Sequence, residues 1–269
     1  MAKKYEELVF TDDFMFCKIM STHLDLTKKI LEMILNIKIR NLVLAEEQKT
    51  IDLTSEGRGV RLDVYVEDEL NTIFDLEMQT TRMKTPGKRT RYYQGMIDLN
   101  TINKGSLFSA LRKCYIVFIC MEDPFDKNYP IYTFENRCIE DTELSLGDES
   151  KKVFVNPDGI SVNMDNGMKV FFRYLKTGKA EDAFTKDLDE AVAEARKHEK
   201  WRSEYMTLML RDQEKREEGR IEGRNEEKKA IMSILEYNAL HPTESAESVA
   251  FNTGTDIETV NSILKFLRK

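Results

Sequence analysis

The stretch VRLDVYVEDELNTIFDLEMQ, residues 60–79, decides how this chain is read. Two runs rich in β-branched and aromatic residues flank a polar segment at Glu69, Leu70 and Asn71, the pattern of an antiparallel hairpin. Strand side chains alternate between faces. Outside the turn, the even positions Val60, Leu62, Val64, Val66, Phe74, Leu76 and Met78 are all apolar. The odd positions include Arg61, Asp63, Tyr65, Ile73, Asp75, Glu77 and Gln79. One face is therefore core, and the other collects acids. A turn centred on Leu70 sets Asp63 opposite Glu77 and Arg61 opposite Gln79, with directly opposed Cβ atoms about 4.5–5.5 Å apart.

Two carboxylates at that spacing repel each other. Two readings are open. The acids can be the solvated face of a hairpin, with Arg61 pairing with Glu77. They can also be a site for a divalent cation. Hard oxygen donors in a small cluster suit Mg²⁺, which takes one or two carboxylates and keeps several waters. Such an ion lowers the pKa of a bound water and stabilises charge on a phosphoryl oxygen.

The residues that follow add a second signal. Between Thr80 and Lys113 lie eight basic residues and one acid, Asp98, although the chain as a whole carries a net charge of −7. Pro86 opens a helix there. Its first turns place Lys88, Arg89, Arg91, Tyr92, Tyr93 and Gln94 together. Arg and Lys neutralise phosphates, and tyrosines stack on bases or bond to phosphates. The bland reading is a solvated basic helix end with its tyrosines packed inward.

The rest of the 269 residues supplies a scaffold. A composition of 41% apolar and 33% charged residues is that of a globular protein able to bury a core. No apolar run approaches the ~18 residues of a membrane span, and no leader pattern opens the chain, which predicts a cytoplasmic protein. Four cysteines without CxxC spacing and three scattered histidines predict free buried thiols, not a zinc site or disulfides. Apolar residues recur at helical spacing from Phe16 to Leu35, after a TDD cap at 11–13. Leu42 starts a strand, KCYIVFIC (113–120) is a buried one, and IYTFENRC (131–138) and KKVFVN (151–156) are two more. MKVFFRYLKTG (168–178) is a helix stopped by Gly178.

This order predicts a mixed α/β fold. From Leu188 to Glu236 the chain is dense in charge and in helix formers, with a hinge or linker at Gly219 and Gly223. Short helices follow. The expected division is 1–187 for the core domain, 188–236 for a charged helical linker and 237–269 for a small helical module. That module offers little basic surface, so it is read as a protein-contact, oligomerisation or sensing unit.

Asp63, then Glu77-Met78-Gln79, then a helix bearing Arg and Tyr resembles the PD-(D/E)XK nuclease superfamily. TDDFMFCKIM, RTRYYQGMIDLNTINKG, LRKCYIVFIC and the tail blocks EEGRIEGRNEE and ESVAFNTGTDIETV are similar, in order, to blocks of the Rpn family of recombination-promoting nucleases, also described as putative transposases. The resemblance covers nearly the whole chain. It implies a restriction-endonuclease-like α/β core flanked by helices and metal-dependent DNA endonuclease activity. It also implies a role in recombination, mobile elements or phage defence in bacteria. By motif, Asp63 and Glu77 would be metal ligands, with the Met78 carbonyl a third, for Mg²⁺ or in its place Mn²⁺ or Ca²⁺. Gln79 stands where the superfamily has a lysine, and it can orient a water but adds no charge. Asp13 is either an accessory acid or a plain helix cap. The partners implied are DNA and, through the C-terminal helices, a second copy of the chain. The rival expectation is a catalytically weak or inactive nuclease-like protein that binds DNA or protein.

Overall fold

The computed structural model describes residues 3–52, 59–159, 161 and 164–267. The hairpin is where the sequence puts it. Strand β2 (Val60–Asp68) and strand β3 (Ile73–Gln79) pair antiparallel, with Val64 opposite Leu76, Tyr65 opposite Asp75 and Val66 opposite Phe74. The turn closes because the Asp68 carboxylate accepts the Leu70 and Thr72 amides, while Asn71 takes the left-handed φ of 62° that asparagine tolerates.

Six strands form one mixed sheet in the order β1-β2-β3-β4-β6-β5. Strand β1 (Leu42–Ile51) and strand β5 (Ile131–Phe134) are its edges. The all-apolar β4 (Cys114–Cys120) lies at the centre, parallel to both β3 and β6 (Ser150–Val155). Parallel strands need a crossover, which explains why their runs are continuously hydrophobic: both faces are covered.

Helix α3 (Pro86–Thr101) is the crossover between β3 and β4. Its Tyr93, Met96 and Ile97 pack with Tyr65, Ile73, Ile116, Phe118 and Phe154 in a single buried cluster. The odd-numbered face of the hairpin is thus not solvated, as the first of the two sequence readings had it. It lies under α3, and Asp75 and Glu77 are 0% and 1% exposed. The even-numbered face, with Val64, Val66, Phe74 and Leu76, is equally buried.

The N-terminal helical stretch divides in two, α1 (Asp13–Thr22) and α2 (Leu24–Leu35). His23, at φ −110° and ψ 75°, leaves the helical region and breaks what the apolar spacing reads as continuous. Helix α4 (Asn166–Thr177) starts on an Asp165 cap and stops at left-handed Gly178. Helix α5 (Ala183–Ala195) buries Phe184, Leu188, Ala191, Val192 and Ala195, and Tyr5 donates to the Ala195 carbonyl at 2.6 Å. For that reason the first compact unit extends to Arg202, and a second one begins at Ser203.

Helix α6 (Glu199–Leu240) runs unbroken through Gly219 and Gly223. In the second unit, α7 (Ala246–Thr253) and α8 (Ile257–Leu267) enclose a small core of Ile234, Val249, Val260 and Leu264.

Candidate active site

The hydrogen-bond ladder of the hairpin gives way where its acids begin. Beyond the Val64–Leu76 pair, the Asp63 amide donates to Glu77 Oε1 at 2.8 Å, and the Met78 amide donates to Asp63 Oδ2 at 3.0 Å. Each carboxylate takes the place of a main-chain carbonyl on the opposite strand. This reciprocal exchange fixes both side chains against the sheet and answers the accounting for the two amides.

Charge accumulates around this pair. Burial raises the Asp63 pKa to about 6, reinforced by Asp13 and opposed by the Met78 amide, Arg89 and Arg61. Glu77 is pushed well above the usual range by burial and then by Asp75 and Asp63. Asp75 is shifted the same way by burial and then by Asp63. Neither of its oxygens has a partner among the described residues. Two carboxylates cannot hydrogen-bond to each other, but when either Asp75 or Glu77 holds a proton the acid can donate to its neighbour. Without a cation the cluster favours holding protons.

Asp13 is the first residue of α1, and Asp12 occupies the cap position. The Asp13 carboxylate reaches the site instead: donor atoms of Asp13, Cys17 and Asp63 lie within 4.8 Å of one another. Cys17 sits one turn after Asp13 and donates its thiol to Asp13 Oδ1 at 3.9 Å. Burial, then the carboxylates of Asp63 and Asp13, raises the thiol pKa, so it is neutral at pH 7. Glu77 is not part of that trio. Its Oε2 accepts from Arg89 Nη2 at 3.1 Å.

Helix α3 sorts its polar residues into three directions. Arg89 and Tyr93 turn inward. Arg89 bridges Gln79 Oε1 (2.7 Å) and Glu77 Oε2, and lies over the Phe118 ring at 4.8 Å. The Tyr93 hydroxyl lies 2.8 Å from Arg89 Nη2, and its pKa is pushed up to about 12 by burial and by Glu77. Lys88, Arg91 and Tyr92 are exposed. Gln94 faces away from the acids, donating to Asp98 and accepting from Ser150. Gln79 is held at both ends, its nitrogen donating to Thr81 and its oxygen accepting from Arg89. Arg61 pairs with neither Gln79 nor Glu77, and its guanidinium lies 4.0 Å from Asp13.

The donor set fits a divalent ion. Four carboxylates crowd a partly desolvated spot beside Arg89 and Arg61, and two buried oxygens lack partners. Cys17 and Asp75 had no role in the sequence reading. The signals were present: Cys17 is at i+4 from Asp13 on one helix face, and Asp75 shares parity with Glu77.

Residues 10–159, more than half of the chain, match the profile of the PD-(D/E)XK nuclease family transposases. The chain belongs to that family. No curated protein and no solved structure matches it. The matched region of this PD-(D/E)XK nuclease family transposase holds α1, the hairpin, α3 and the whole sheet, and so every residue of the site. No described helix is long and apolar enough to cross a membrane.

Proposed function

We propose that the chain is a divalent-metal-dependent DNA endonuclease of the Rpn type, acting in recombination, mobile-element activity or phage defence. The observation that carries this reading is the reciprocal lock of Asp63 and Glu77 on the opposing strand's amides, with Asp13 and Cys17 against Asp63. Asp63, Glu77 and the Met78 carbonyl would hold Mg²⁺, or Mn²⁺ or Ca²⁺ in its place, with Asp13 as an accessory ligand. Such an ion supplies an acidified water and charge stabilisation at the phosphoryl group.

The protein's own part is positioning. Asp63 and Glu77 are held in place by the amides of the opposing strands before anything binds. The superfamily's lysine is absent, but its charge is restored from α3. Arg89 stands between Glu77 and Gln79, and its guanidinium would meet the negative charge that develops on the phosphate. Gln79 then acts by holding Arg89 as well as by orienting water. Lys88, Arg91 and Tyr92 form the outward surface for the DNA backbone. The domain plan pairs this core with a charged linker and a C-terminal module that associates with a second copy in the cytoplasm.

One observation favours the rival reading of a weak or inactive nuclease-like binder. Arg89 already neutralises Glu77, which lowers its availability as a ligand. Cleavage of a supercoiled plasmid by wild type and Asp63→Ala, in Mg²⁺, Mn²⁺, Ca²⁺ or EDTA, separates the two. The nuclease reading predicts metal-dependent cleavage that the substitution removes. DNA binding with no cleavage in any metal supports the rival.

A further inference from the structure

A cavity of about 610 Å³ lies on the other side of α3 from the carboxylates, bounded by β5 and β6. Its volume is that of a small-ligand site, for which roughly 300–1,000 Å³ is usual. Three features say what would fill it.

The first is an aromatic wall. Phe125, Phe134 and Phe154 meet with ring centroids 5.0–5.9 Å apart. Phe154 is buried in the sheet, whereas Phe134 remains 44% exposed and offers a ring to an occupant.

The second is charge balance. Arg91, Arg112 and Lys152 face the cavity together with Asp98, Glu135 and Asp148. Three cations against three carboxylates leave no net charge, so the lining does not select an anion. It selects a neutral molecule with hydrogen-bond donors and acceptors on its edge.

The third is free donor capacity. Arg91 lines the cavity, is exposed and makes no ion pair among the described residues.

We propose that this cavity is a nucleobase-binding site. A nucleobase is flat, uncharged and edged with both donors and acceptors. It would stack on Phe134 and present its edge to Arg91 and to the carboxylates. The geometry links it to the site already described. Arg91, Gln94 and Asp98 line the cavity from the same helix whose Arg89 and Tyr93 face the acids. Strand β6 lies two places from β3 in the sheet, roughly 10 Å away at the usual strand spacing. A base drawn from a bound strand or the base of a free nucleotide would satisfy the same lining.

The test uses the full-length protein and two probes. The first is binding of each of the four deoxynucleosides, measured by saturation-transfer NMR, with deoxyribose 5-phosphate and inorganic phosphate as controls. At least one deoxynucleoside should bind where the phosphates do not. Phe134→Ala should weaken it about tenfold, as the loss of one base–aromatic stack does, and Phe134→Tyr should restore it. No deoxynucleoside binding, or equal binding by Phe134→Ala, overturns the proposal. This arm does not need the nuclease reading, and Asp63→Ala should bind the deoxynucleosides like wild type.

The second probe is a duplex carrying 2-aminopurine, titrated with protein in EDTA. This arm rests on the nuclease reading. A fluorescence change with wild type that Phe134→Ala lacks means the base comes from the strand. Binding of free deoxynucleosides with no such change means the site takes a free nucleotide.

Discussion

At the residue scale, the site turns on Asp63 and Arg89. Asp63 accepts the Met78 amide through one oxygen, which an asparagine can also do. It also carries a charge that burial and Asp13 oppose. Asp63→Asn should therefore abolish metal-dependent cleavage and yet leave the metal-free protein at least as stable as wild type. Thermal melting in EDTA at pH 7.5 checks this, and a large fall in Tm would show that the carboxylate is structural. Arg89 holds Glu77 and Gln79 with two nitrogens of one planar group. Lysine keeps the charge but not the fork. Arg89→Lys should lose cleavage by tenfold or more with little change in fold. Arg89→Ala should also destabilise, because it leaves a buried carboxylate without its cation. Since Arg89 is about one-third exposed, the cost should be about 1–3 kcal/mol in urea unfolding. That Asp63, Glu77 and Gln79 share one face of the hairpin was legible from parity. Arg89's place was not, because a run such as KRTRYYQ does not say which basic side chain faces the sheet. That depends on the angle at which α3 crosses the strands.

At the scale of elements, the strands and their order of appearance could be read from period and breakers, and the hairpin register could be read from its turn. The buried state of the acidic face could not. Alternation marks two faces but does not reveal that a crossover helix covers the second, and the parallel pairing of β3 with β4 is what brings α3 there. The break at His23 was hidden as well, since the apolar spacing continues on both sides of it. Helix α6 is a third case. Its two glycines read as a hinge in a long solvated helix or as a linker, and the helix passes through both. Each glycine costs a helix interior roughly 0.8–1 kcal/mol relative to alanine. The double variant Gly219→Ala/Gly223→Ala should raise helicity and thermal stability of the second unit and leave plasmid cleavage unchanged. Circular dichroism and the cleavage assay together check this. A loss of cleavage would mean that bending at these glycines is used.

At the scale of the whole molecule, the acid cluster links stability to pH and to metal. Unfolded, Asp63 releases its proton near 3.8, but in the fold it holds it to about 6. Between those values the folded state binds more protons, so stability falls as pH rises through this window and stays lower above it. Glu77 and Asp75 shift in the same direction and extend the effect. A divalent ion offsets the repulsion only where the carboxylates are ionised. The rise in Tm on adding Mn²⁺ should be small at pH 5 and grow to several degrees at pH 7.5. An equal rise at both values would place the ion elsewhere. The second unit leaves Phe251, Phe266 and Leu267 exposed. If these helices join two copies, Phe251→Asp/Phe266→Asp should turn a dimer into a monomer in light scattering, and an unchanged mass would remove that role.

Whether these carboxylates form a metal centre is measured most directly by metal binding itself, by calorimetry with Mn²⁺ on wild type, Asp63→Asn and Glu77→Gln, run beside plasmid cleavage. One principal site is expected, lost in Asp63→Asn and weakened at least tenfold in Glu77→Gln, with cleavage lost in parallel. Wild-type affinity and cleavage retained in Asp63→Asn would contradict this.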